Sequence, residues 1–358
     1  MTTTGAVPFP HGPDDFDTDW IEGVFKAPAG SLRSLGHAPV GTGQICDSFR
    51  FSCDWAGGEN TLGLPQTFIA KCPSTDARSR AAAAIFHLYD MEVGWYRDCA
   101  PGSGVNCPRP YYAAISDDER SFALLLSDMA PASQGDQLAG ASVDELDSAL
   151  REAAALHAYQ PPDIRLEEVR WLQHGERNSA NLNTSLAASY PAFRERFKAR
   201  LHRDILDLGE HLLARISRYT GHQPATRCIA HGDLRLDNIL YAEGGSSACL
   251  VDWQTVHRGS GAADVAYLIG TSFADPGVRA REEKGLIEGY LRRRAELGVP
   301  ADFDEFWTEY RLYAFSGFLM AVSASMTVQQ TDRGDEMFAL MAERPATMAL
   351  ELDSLALL

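Results

Sequence analysis

The stretch Ala230-His231-Gly232-Asp233-Leu234-Arg235-Leu236-Asp237-Asn238, followed by Val251-Asp252-Trp253, constrains this chain more than any other feature. An Asp, an Asn five residues on and a second Asp fourteen residues after that lie among short apolar runs. Cys228-Ile229-Ala230 leads into the motif. Ile239-Leu240-Tyr241 and Ala248-Cys249-Leu250-Val251 flank Glu243-Gly244-Gly245-Ser246-Ser247 and predict a hairpin, because paired glycines suit the turn between two strands. Positions 238 and 252 are equidistant from Gly245, so a symmetric register sets Asn238 opposite Asp252, with Cβ atoms roughly 5 Å apart. Two oxygen donors that close suit a hard cation such as Mg²⁺, which takes few protein ligands and completes its shell with phosphate and water. Any one of these residues alone serves as well to cap a strand end. The set at this spacing points to phosphoryl transfer: one carboxylate orients a hydroxyl, while an amide and a carboxylate hold the metal.

A chain of 358 residues can bury a large core and suggests two lobes. With 45% hydrophobic residues it reads as globular. The net charge of −17 argues against a nucleic-acid or anionic-membrane surface, since both require basic patches. It would suit a cationic substrate, although an acidic surface also simply keeps a protein in solution. The seven cysteines have no Cys-x-x-Cys spacing and several fall in apolar runs, as expected of reduced core residues in a cytoplasmic protein. The N-terminus lacks a basic and apolar leader, and no run reaches the ~18 apolar residues of a spanning helix.

Along the chain, residues 1–19 read as a flexible tail. Strands are predicted over 45–52, 67–72, 111–115 and 122–126, with one long helix from near Asp76 to Cys99. Ser142 is a plausible N-cap for a helix reaching Tyr159, with Leu146, Leu150, Ala154 and His157 on one face. Thereafter the pattern is helical, interrupted by 231–252. The expectation is an α+β, two-lobed chain: a small β-rich N-terminal lobe over 20–129 and a larger, mostly helical lobe over 130–358, with a hinge near 126–131.

Val40-Gly41-Thr42-Gly43-Gln44 precedes the first predicted strand, and Gly41 and Gly43 would allow a phosphate close to the backbone, although a plain turn needs the same residues. Lys71 closes the apolar run Phe68-Ile69-Ala70, a place where a lysine is ordinarily the solvated end of a strand. The next helix argues otherwise: Ile85, Tyr89, Glu92 and Tyr96 share a face, which sets an acid in an apolar stripe. A buried carboxylate needs a partner, and Lys71 is the natural one. Arg235 lies two residues after Asp233, where it could hold a transferred phosphoryl group or pair locally with Asp237. His257 and Arg258 lie just past Asp252 and could face substrate, whereas Trp171, His174 and Tyr190 are as consistent with core.

His-Gly-Asp-x4-Asn followed by Asp-Trp resembles the aminoglycoside phosphotransferase and choline kinase branch of the protein-kinase-like fold. The Arg-Leu-Asp-Asn ending is similar to a bacterial subgroup of unknown substrate and, more distantly, to ecdysteroid-kinase-like proteins. The resemblance implies a small-molecule O-phosphotransferase that uses ATP or GTP with Mg²⁺ and acts on a small hydroxyl compound, with no nucleic-acid or membrane partner. It implies Asp233 as the catalytic residue with Arg235 and His231 beside it, His231 more to pack and hydrogen-bond the loop than to take part in chemistry, and Asn238 and Asp252 on the metal. Lys71 paired with Glu92 would hold the α- and β-phosphates, and residues 125–129, Ser127 and Met129 among them, would present groups to the base. Asp264 matches a family Asp that braces the catalytic loop, and it could equally cap the helix that begins there. Arg235-Leu236-Asp237 departs from the His-Pro-Gly of resistance enzymes, so a choline-like, hydroxyacyl or other metabolite alcohol competes with an aminoglycoside as acceptor. A catalytically inactive nucleotide-binding or scaffold protein of the same fold is the alternative, and the intact set of Lys71, Glu92, Asp233, Asn238 and Asp252 argues against it.

Overall fold

The computed structural model describes residues 9–41, 45–57, 63–162, 165–328 and 330–358, with side chains described in those ranges except at 176, 177 and 179–182. Two compact units divide the chain: Met1–Gly102 with Pro108–Ala130, and Ser103–Cys107 with Pro131–Leu358.

The first unit is built on one antiparallel sheet of β1 (Leu32–Pro39), β2 (Cys46–Trp55), β3 (Thr67–Pro73), β4 (Pro110–Ile115) and β5 (Phe122–Ser127), in the order β1-β2-β3-β5-β4. The predicted strands are β2 to β5. The glycine-containing region 40–45 joins β1 to β2, and β1 itself carries too few apolar residues to be read from the sequence. Phe51 and Phe68 stack 5.1 Å apart on one face, joined by Trp55, Ala70, Cys72, Ala123 and Leu125. The described part of the expected tail, residues 9–19, packs on this core. Phe16 is buried against Trp20 and Phe51, at ring distances of 5.3 and 5.4 Å, and α1 (Thr18–Phe25) starts from the Asp17 N-cap. Two aromatics four residues apart, one helical turn, make this segment an anchor.

The single helix expected over 76–99 is broken. α2 (Ala77–Phe86) stops at His87, whose φ of 56° is left-handed, and α3 (Leu88–Gly94) continues into a wider π-type turn over Trp95–Cys99. The break rotates α2 out of the predicted stripe. Ile85 is 68% exposed, while Tyr89, Glu92 and Tyr96 are all buried.

In the second unit, β6 (Ser133–Gln134) precedes α4 (Val143–Ala158), α5 (His174–Phe197), α6 (Arg203–Leu213) and α7 (Ile216–Thr220). Then come β7 (Cys228–Ala230), β8 (Ile239–Tyr241), β9 (Ala248–Leu250) and β10 (His257–Gly259). The chain closes with α8 (Gly261–Ser272), α9 (Pro276–Glu296), α10 (Phe303–Leu312), α11 (Ser316–Thr327) and α12 (Asp332–Glu351). Ser142 and Glu145 form the reciprocal capping box of α4, whose Leu146, Leu150, Ala154 and His157 face inward as their spacing predicts. β7 pairs with β10, and β8 lies between β6 and β9. Every residue of α8 from Asp264 to Ser272 is buried, so this helix is central to the unit and can hold polar groups firmly in place. Asn106 explains why Ser103–Cys107 belongs here. Its carbonyl accepts from the Leu250 N–H at 2.9 Å, its amide donates to the Ala248 carbonyl at 2.7 Å, and its N–H donates to Glu152 at 2.7 Å. Among the described residues no helix is long and apolar enough to cross a membrane.

Candidate active site

The loop after β7 carries Asp233, and its shape is imposed from α8. Gly232 has a φ of 81°, and a Cβ there would lie 2.5 Å from the Thr255 carbonyl oxygen, so no other residue fits without strain. The Asp264 carboxylate accepts the His231 N–H at 2.6 Å and the Gly232 N–H at 2.9 Å. His157 Nε2 reaches the same carboxylate at 3.1 Å, and its Nδ1 meets the Tyr290 hydroxyl at 2.7 Å. Burial lowers the His157 imidazole below its usual range, against the pull of Asp264. A neutral ring then donates to Asp264 and accepts from Tyr290. Burial would raise Asp264, but the hydrogen bond from His157, with that from the Gly232 N–H, holds it below the usual carboxylate range. Asp264 is therefore a brace and not a cap. The cap of α8 is Ser260, whose hydroxyl accepts from the Ala262 N–H at 3.1 Å.

Asp233 is held on both carboxylate oxygens. Tyr267, one turn after Asp264 on α8, donates its hydroxyl to Oδ1 at 2.8 Å. Asn238 Nδ2 donates to Oδ2 at 2.7 Å and to the Asp233 carbonyl at 2.8 Å. Arg235 Nε lies 3.4 Å from Oδ2, while its Nη1 meets Asp237 at 2.5 Å. Burial works against the Arg235 charge, yet Asp233 and Asp237 override it and make the guanidinium more basic than usual. The local ion pair expected of Arg235 is thus present. With only 18% of the Arg235 side chain exposed, the contact is largely shielded from solvent.

His231, named beside Asp233 and expected to pack and hydrogen-bond the loop, is completely buried. Its Nε2 donates to the Val251 carbonyl at 3.0 Å, and its ring lies 4.7 Å from that of Trp253. It ties the loop to the segment after β9 that carries Asp252 and has no surface from which to touch a substrate. The hairpin is off the predicted register by one step. Ile239 pairs with Leu250 and Tyr241 with Ala248, so the centre falls between Gly244 and Gly245, both at positive φ. Asn238 is consequently level with Val251, whose N–H donates to its carbonyl at 3.0 Å, and Asp252 stands one residue beyond. Asp252 adopts a left-handed φ of 66°, a conformation an L-residue keeps only when its surroundings enforce it.

In the first unit, strand alternation sets Lys71 on the sheet face opposite Phe68, Ala70 and Cys72. There its Nζ meets Glu92 Oε1 of α3 at 2.5 Å, with Glu92 fully buried and Lys71 nearly so. The expected pair is formed despite the helix break. Ser127 is committed inside the sheet: its N–H donates to the Arg109 carbonyl and its hydroxyl accepts the Arg109 N–H, both at 2.8 Å. The Ser127 hydroxyl also lies 3.7 Å from the Met129 sulfur. Gly41 has a φ of 76° with open space around it, and Gly43 lies outside the described residues. Trp171, His174 and Tyr190 are all buried, and His257 Nδ1 turns back to the Thr255 carbonyl at 2.9 Å.

Sequence reasoning missed Tyr267, Gln137 and Thr255. Gln137 accepts the Leu236 N–H at 3.1 Å and donates to the Thr271 carbonyl at 2.8 Å, and the Thr255 hydroxyl donates to the His231 carbonyl at 2.9 Å. Only Tyr267 left a signal, three residues after Asp264 and so on the same helical face.

Residues 63–299 match the model of the phosphotransferase enzyme family. A choline kinase from Cryptosporidium parvum Iowa II superposes with a TM-score of 0.53 at 12% identity, covering 94% of this chain and 95% of that one. A candidate aminoglycoside phosphotransferase from Ralstonia eutropha JMP134 gives 0.51 at 16% identity, over 94% and 98%. An ADP-bound aminoglycoside phosphotransferase gives 0.50 at 14%, over 93% and 99%. At such identities the likeness is one of fold. No curated protein matches the chain.

Proposed function

We propose, since this chain belongs to the phosphotransferase enzyme family, that it transfers the terminal phosphoryl group of Mg²⁺-bound ATP to a hydroxyl of a small molecule oriented by Asp233. A small-molecule kinase is what the family match and the kinase-like fold support together. ATP is the donor taken for the tests, an ADP complex standing among the structures of this fold, and GTP is the second donor of the screen. The observation that carries the reading is the Asp233 carboxylate, fixed by Tyr267 and Asn238 on a loop braced by Asp264.

The residues present fit a magnesium-bound nucleotide. Asn238 commits its Nδ2 to Asp233, which leaves its amide oxygen as the acceptor, and Asp252 supplies a carboxylate, together the hard oxygen set Mg²⁺ prefers. When bound, the nucleotide supplies the phosphoryl group and the cation the countercharge for its oxygens. Lys71, held by Glu92, is suited to bind phosphate oxygens as a point charge. Asp233 accepts the hydrogen bond of the attacking hydroxyl and aims it, the main contribution when the transition state is loose.

The test is consumption of ATP or GTP and thermal shift over a panel of hydroxylated metabolites, aminoglycosides and choline-like alcohols. Asp252→Ala is expected to abolish Mg²⁺-dependent ADP binding and Asn238→Ala to weaken it less, because a carboxylate is the stronger ligand. Unchanged metal dependence of both in calorimetric titration would remove them from the metal site. Arg235 is assigned to the transferred phosphoryl group in addition to its pair with Asp237. Arg235→Ala should then lower kcat at least about tenfold, or ~1.4 kcal/mol, with Asp237→Ala close to wild type. Equal, near-wild-type rates in both would leave Arg235 as a loop ion pair only.

A further inference from the structure

The donors around Asp233 can be counted against its lone pairs. A carboxylate offers about four acceptor positions, two on each oxygen. Oδ2 takes two donors, Asn238 Nδ2 at 2.7 Å and Arg235 Nε at 3.4 Å. Among the described residues Oδ1 takes one, the Tyr267 hydroxyl at 2.8 Å. Tyr267 is 3% exposed. Burial and the neighbouring Asp233 charge push its phenol well above the usual range, so it keeps the proton it donates to Oδ1. Its backbone belongs to the fully buried stretch of α8, in which Asp264, one turn earlier, fixes the backbone of the Asp233 loop. One helix face thus sets both the loop and the carboxylate it carries.

We infer that Tyr267 is a positioning residue of the transfer reaction: by holding one site of Oδ1 and leaving Oδ2 to Asn238 and Arg235, it assigns the attacking hydroxyl to the other site of Oδ1. This rests on the reading of Asp233 as the group that orients the acceptor. The tyrosine sets the rotation of the carboxylate about its Cβ–Cγ bond, and with it the line along which the hydroxyl approaches. Freed of that bond, the carboxylate is held from the Oδ2 side alone and can rotate, moving Oδ1 off the attack line, a loss of orientation and not of nucleotide binding.

The experiment uses ATP with water as acceptor, which needs no knowledge of the natural substrate. Tyr267→Phe removes one oxygen and keeps the ring. It should lower kcat for ATP hydrolysis at least about tenfold, with KM for ATP within about twofold of wild type and Tm within about 3 °C. Hydrolysis within about threefold of wild type, or a loss in which KM and Tm move together, overturns the assignment. A wild-type enzyme that turns over ATP neither with water nor with any acceptor of the panel overturns the phosphotransferase reading as well, which separates the two failures. A second measurement needs no variant. In a crystal structure of the wild-type protein with a non-hydrolysable ATP analogue and Mg²⁺, the attacking water should sit on Asp233 Oδ1 beside the Tyr267 hydroxyl. A water on Oδ2, or Tyr267 turned away from Asp233, overturns the proposal.

Discussion

Replacing Asp233 by Asn should lower kcat by about 10²- to 10⁴-fold while ADP binding and folding stay intact. The substitution is nearly isosteric, and the site can satisfy it. The new amide oxygen can keep the bonds from Asn238 Nδ2 and Arg235 Nε, and the new NH₂ can donate to the Tyr267 hydroxyl oxygen. What disappears is the acceptor that faces the attacking hydroxyl and the charge that favours its departing proton. The variant therefore tests chemistry and not shape. Single-turnover kinetics beside an ADP titration would decide it. A kcat within about tenfold of wild type would mean that another group orients the hydroxyl.

Asp264→Asn should be the most damaging change to the fold of the second unit. Asp264 is buried and accepts from two backbone N–H groups and from His157. An amide can point only one oxygen at these three donors, so at least one buried N–H faces another donor. Breaking a buried charged network in this way costs about 3 kcal/mol, or roughly 6–12 °C of Tm, and kcat should fall with it because Asp233 lies on the loop that is released. The pH dependence of the wild type follows from the same pair. Burial depresses His157, so the unfolded chain takes up a proton near the ordinary histidine value while the folded one resists it, and stability falls as pH drops through about 6.5. Asp264 is also depressed. Its contribution is complete above the ordinary aspartate value and is lost as pH falls below about 3.9 toward the folded value. Both losses lie on the acid side. Calorimetry from pH 8 to pH 4 should show a decline beginning near pH 6.5 that is weaker in His157→Gln. A wild-type Tm that is flat between pH 7 and pH 5 would contradict the neutral buried imidazole.

What could be read directly from the chain is what local periodicity controls. Lys71 closes the apolar run Phe68-Ile69-Ala70, and Glu92 could be recognised as a carboxylate in need of a cation, so their pair was legible in the amino-acid pattern alone. The loop from His231 to Asn238 was legible because each of its residues carries a distinct chemical demand at a fixed offset. Where an expectation depended on accumulating many residues of one conformation, it drifted. A single left-handed residue, His87, broke the long helix and turned Ile85 to solvent, and a turn centred half a residue earlier than assumed moved Asp252 one step past Asn238. Only the tertiary structure could supply Tyr267 against Asp233, across 34 positions, and His157 against Asp264, across 107. No local pattern encodes those contacts, because they exist only once α4 and α8 have packed around the β7 loop. By itself the sequence determined which groups could do chemistry. Close packing of buried helices, where a polar atom must find a partner or cost several kcal/mol, decided how those groups are held and in which direction each one points.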